Sequence, residues 1–67
     1  MRNVNRISPM MEEIATIWAD TAPDWRFGQF ISNFQRWHGV IYGNPDIFYL
    51  EDNVMLERLK EYVSDFG

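Results

Sequence analysis

The absence of cysteine from a chain of 67 residues is the strongest constraint on what it can become. A domain this small buries only about 60% of the surface its unfolded chain exposes, so it is marginal unless something reinforces the core. Disulfides and thiolate metal sites are common reinforcements, and both are closed to it. His38 is the single histidine, and no Asp- and Gly-rich calcium loop is present, so no metal and no cofactor is expected. What remains is a dense apolar core, self-association or a binding partner. Aromatic residues make up 16% of the chain and serve both core and interface.

Helical periodicity predicts three amphipathic segments around one aromatic core: a single all-α domain. The first, over 9–20, takes Ser8 as its N-cap and Pro9 as its first helical residue, with Glu12 and Glu13 near the positive end of the dipole. Met10, Met11, Ile14, Ile17 and Trp18 fall on its apolar side. The second, over 22–38, starts at the "TAPD" box, with Thr21 capping and Asp24 reaching back, and stops at Gly39. Phe27, Phe30, Ile31, Phe34, Trp37 and His38 lie within one arc of it about 120° wide. The third, over 52–64, is capped by Asp52 and carries Met55, Leu56, Leu59, Tyr62, Val63 and Phe66 as its stripe. Between the second and third helices, "VIY" and "IFYL" flank a turn at Asn44-Pro45-Asp46, which suits a minor β-hairpin or an irregular loop.

Trp25 is the residue that points away from this core. It lies among Gln29, Ser32 and Arg36, with Arg26 and Asn33 at the flank. Two readings are open: the ring folds back onto the end of the first helix, or it is an exposed aromatic ringed by polar groups, as interface hot spots are. On the second reading Trp25, Arg26, Gln29 and Arg36 form an interaction surface. Gly28, inside the second helix, is expected where a backbone or a bulky ring passes close by.

Several functions are excluded or disfavoured by chemistry. The formal net charge is −4, which opposes a grip on nucleic acid. Residues 44–67 carry six carboxylates against Arg58 and Lys60. Arg26 and Arg36 alone support a nucleic-acid-associated regulator, which is the alternative reading. No Ser stands in a G-x-S-x-G turn, no glycine-rich phosphate cradle exists, and the adjacent carboxylates Glu12–Glu13 and Glu51–Asp52 point to different sides of their helices. No catalytic residue is expected, and the protein is read as not an enzyme. The N-terminus lacks the apolar core of a signal peptide, and no apolar run is long enough to span a membrane. A cytoplasmic location follows as the expectation.

The order "NRI…MMEEIATIW", "PDWRFGQFISN", "IFYLEDNVMLERL" resembles a group of short bacterial and bacteriophage proteins with a Pro-Asp-x-Arg-x-Gly-Gln helix start and a later Phe-Tyr-x-Glu-Asp segment. The resemblance covers nearly the whole chain. It implies that Arg26, Gly28, Gln29, Tyr49, Glu51 and Asp52 belong to one constellation, with Arg26 paired to Glu51 or Asp52 as a structural tie. The resulting expectation is a non-enzymatic interaction module of phage or prophage origin, which binds an unidentified protein or a second copy of itself.

Overall fold

The computed structural model describes residues 2–66, Phe66 by its backbone alone; the expected place of the Phe66 ring in the third stripe therefore lies outside the described side chains. A 3-10 turn, Val4–Arg6, runs into α1, Ile7–Thr21; α2 is Phe27–Tyr42 and α3 is Asp52–Phe66. Among the described residues there is no strand, so the segment between α2 and α3 is a loop rather than a hairpin.

The helix starts are set by groups other than those the sequence suggests. Asn3, not Ser8, caps the first helical run, its side chain accepting from the Asn5 N–H at 2.9 Å. The 3-10 turn then feeds directly into α1, and Pro9 falls in the first turn of α1, where an N–H would have no helical partner. Thr21 is the last residue of α1 and does not cap α2. Pro23 disfavours helical backbone at the residue before it, and Ala22 accordingly leaves the helix (φ −145°, ψ 61°). Trp25 N–H then closes a turn onto the Ala22 carbonyl at 3.1 Å. The N-cap of α2 is the extended Arg26, whose N–H donates to Gln29 Oε1 at 2.8 Å. An arginine side chain cannot accept, so only that half of a capping box is made.

Gly39 does not stop α2; Gly43 does, with φ 75° in the left-handed region. Gly39 has a different use. A Cβ there would lie 3.2 Å from Pro45 Cβ, so its missing side chain lets the loop return over the helix. Gly28 has no such neighbour within 4 Å, and the expectation of a close approach at that position is wrong.

The ion pairs Arg6–Asp52 and Glu13–Lys60 advance in the same direction along both elements, so α1 and α3 run parallel. The fully buried side chains Phe30 and Phe34 of α2 and Leu59 of α3 form the centre, with Ile14 and Tyr62 around them. Tyr62 meets Phe30, Phe34 and Trp37 at ring-centroid distances of 6.0, 5.6 and 5.6 Å. Trp18 reaches across from α1 to Phe30 at 6.1 Å. One ring system therefore ties all three helices together. Phe27, expected in the core, is 47% exposed: it stands on the first residue of α2, at the edge of the core, with the Trp18 ring at 5.5 Å.

Candidate functional site

The residues expected to share a surface are placed as follows. Trp25 is half-buried against the core, and its carbonyl accepts from Trp18 Nε1 at 3.0 Å. It folds back and is not an exposed anchor. Arg26, Gln29 and Arg36 are exposed. Gln29 is occupied with capping, and Arg36 stands ten residues from Arg26, about 15 Å along the helix. The expected constellation of Arg26, Glu51 and Asp52 is not formed. Glu51 pairs with Arg2 at 2.9 Å and Asp52 pairs with Arg6. The first residues of the chain reach these carboxylates because α1 and α3 start side by side, whereas Arg26 sits at the opposite end of α1. Among the described residues, four of the six basic side chains stand in ion pairs, which leaves Arg26 and Arg36.

Where α2 meets α3, a polar and aromatic cluster is built. His38 is 3% exposed, its ring stacked on Tyr42 at 5.0 Å. Its Nδ1 meets the Asn44 carbonyl, and its Nε2 lies 2.8 Å from an Arg58 guanidinium nitrogen. A carbonyl can only accept and a guanidinium can only donate, so the ring is the neutral Nδ1–H tautomer. The Arg58 Cζ also lies 3.6 Å from the centroid of the Tyr42 ring. Tyr42 donates to the Glu61 carboxylate at 2.7 and 2.8 Å, and Trp37 Nε1 donates to Asp65 at 2.7 Å. The Glu61 bond holds the Tyr42 phenol above its ordinary pKa, because it favours the protonated form. His38 thus acts as a packing residue with both nitrogens occupied, which leaves neither free for proton transfer or ligation. No group of three or more potential metal ligands converges among the described residues.

The exposed apolar features lie elsewhere. Leu50 N–H bonds the Ile47 carbonyl at 3.2 Å, so residues 47–50 form a turn. Ile47, packed on the core, and half-buried Leu50 stand at its ends, while Phe48 and Tyr49 occupy its two central positions, 80% and 82% exposed. Their rings meet edge-on at 4.8 Å. Such positions usually carry Gly, Pro, Asn or Asp, so two large aromatics there point to a use outside the fold. Asn44 and Asp46 brace the loop, each accepting the N–H two residues ahead. As sequence, "IFYL" is an apolar run that suits a hairpin or a loop; an exposed aromatic pair is visible only once the Ile47–Leu50 turn is known.

Two recesses border α1. An open groove of about 870 Å³ between α1 and α3 is lined by Pro9, Met10, Ile17 and Leu56, with the paired charges Arg6–Asp52 and Glu13–Lys60 along it. On the other side of α1, an apolar recess of about 240 Å³ is formed by Met11, Ile14, Ala15, Trp18 and Phe27.

No family model matches the chain, and no characterised protein or solved structure shows significant similarity to it. The resemblance to short bacterial and bacteriophage proteins therefore rests on the residues that suggested it. Among the described residues, no helix is long and apolar enough to cross a membrane.

Proposed function

We propose that this protein is a non-enzymatic interaction module of a bacterial or phage cytoplasm, which works by offering an aromatic surface to another protein chain. The observation that carries the reading is the Phe48–Tyr49 pair, two rings held out at the centre of a braced turn and more than three-quarters exposed. Aromatic residues of this kind are enriched at interface hot spots because they bring large area at low entropic cost. The cluster around His38 supports the same reading from the other side, since its polar groups are committed to one another. The nucleic-acid alternative has less support. Arg26 and Arg36 are the only cations outside ion pairs among the described residues, and exposed Asp24 stands two residues before Arg26.

The test is affinity capture from a bacterial lysate with the native protein and with Phe48→Ser/Tyr49→Ser, each with and without nuclease. A protein retained by the native chain through nuclease treatment and lost with the double variant supports the reading. Equal capture by both, or capture abolished by nuclease, refutes it.

A further inference from the structure

The recess beside α1 and the aromatic turn have matching chemistry. An engineered apolar cavity of about 150 Å³ accommodates a benzene ring. The recess of Met11, Ile14, Ala15, Trp18 and Phe27 offers about 240 Å³, with walls that are wholly apolar side chains and an opening to solvent between two α-helices. Met11 and Phe27 leave about half of their surface exposed at its mouth, 48% and 47%. Phe48, 80% exposed, is a side chain of suitable size and chemistry to enter it.

Charge agrees with this pairing. Arg26 immediately precedes Phe27 and stands in no ion pair among the described residues. Asp46, two residues before Phe48, likewise stands in no ion pair; its Oδ1 accepts the Phe48 N–H, which ties its charge to the base of the ring. The recess thus has Arg26 next to one of its lining residues, with exposed Asp24 two residues earlier, and the projecting ring has an anion beside it. Within one chain the two do not meet, since the recess uses the first residue of α2 and the turn follows its last, about 24 Å of helix apart.

We infer that the occupant of this recess is Phe48 of a second copy of the same chain, with Asp46 of that copy facing Arg26. The inference rests on the interaction-module reading and names the partner. Each copy carries both knob and recess, so the contact is heterologous unless two-fold symmetry closes it. It is also small, which places it among weak interfaces and makes the association concentration-dependent.

Sedimentation equilibrium up to about 1 mM tests it, with Phe48→Ala, which removes the knob, and Ala15→Phe, which fills the recess. Ala15 is exposed on α1, and circular-dichroism melts check that both variants keep the native fold. Each variant alone is expected to weaken self-association more than about 10-fold, as loss of a hot-spot contact does. A 1:1 mixture of the two is expected to associate, because the knob of one variant meets the intact recess of the other. Arg26→Glu is expected to weaken the association as well, by less at high salt. A native chain that stays monomeric at about 1 mM, or a mixture no more associated than its components, overturns the inference. Neither result touches capture of a foreign protein by Phe48 and Tyr49, which is read separately in the lysate experiment.

Discussion

Arg58 donates to Nε2 of His38 at 2.8 Å, and this one contact dictates the state of the only imidazole in the protein. With Nδ1 turned to the Asn44 carbonyl, the ring joins α3 to the end of α2 and the loop beyond it. The measurable consequence is a tautomer. Above neutral pH, nitrogen-detected NMR is expected to show His38 protonated on Nδ1 and bare on Nε2. An Nε2–H tautomer would break the assignment of donors. Arg58→Ala, which leaves the buried Nε2 without its donor and removes the cation over Tyr42, is expected to cost about 1–3 kcal/mol.

Gly28 lies in the first turn of α2 with nothing near the position of a Cβ. Alanine there brings better helix propensity and a less flexible unfolded chain at no steric cost. Gly28→Ala is expected to stabilise by about 0.5–1 kcal/mol in a thermal or urea melt. A destabilised variant would mean that something does pack against Gly28.

The redistribution of ion pairs has its own test. Because Glu51 and Asp52 are held by Arg2 and Arg6, Arg26→Ala is expected to change stability by less than about 0.5 kcal/mol. The Arg2 and Arg6 pairs are both substantially exposed, so each contributes about 0–1 kcal/mol and less at high salt. An Arg26→Ala loss well above 1 kcal/mol would restore the expected tie to Glu51 or Asp52.

Trp25→Ala separates packing from display. The side chain packs on the core cluster, so its removal is expected to lower stability by about 2–4 kcal/mol, somewhat below the range for a fully buried Trp. Unchanged melting together with lost self-association would instead make Trp25 an interface residue.

Alkaline pH provides a fifth measurement. Burial pushes the Tyr62 phenol above its ordinary pKa of 10.0, because the phenolate is poorly solvated in the core. The native state then keeps a proton that the unfolded chain releases. Stability from this group is full below about pH 10 and falls as pH rises beyond it. Tyr62→Phe is expected to flatten that alkaline decline in pH-dependent unfolding. An identical decline in both proteins would assign it to other groups.

The three apolar stripes were legible from periodicity alone, and with them the all-α class and the central Phe30, Phe34, Leu59 and Tyr62. Burial is the dominant favourable term in folding, and a 3.6-residue repeat leaves little choice about which side is buried. Helix ends were less legible, because caps are decided by short polar contacts with several competing solutions. Asn3 took the role expected of Ser8, and Gln29, reaching back to Arg26, took the role expected of Asp24 reaching back to Thr21. Gly39 illustrates the limit: its lack of a side chain reads as a stop signal in sequence, yet it serves the return of Pro45 over a continuing helix. Apart from Arg58–Glu61, three residues apart on α3, the charge partners were decided by tertiary structure. Arg26, Arg2 and Arg6 are chemically equivalent candidates for Glu51 and Asp52, and only the parallel run of α1 and α3 brings two of them within reach. The same holds for the exposed pair. Nothing in "IFYL" says which residues face out, and it is the Ile47–Leu50 turn that sets Ile47 against the core and presents Phe48 and Tyr49 to solvent.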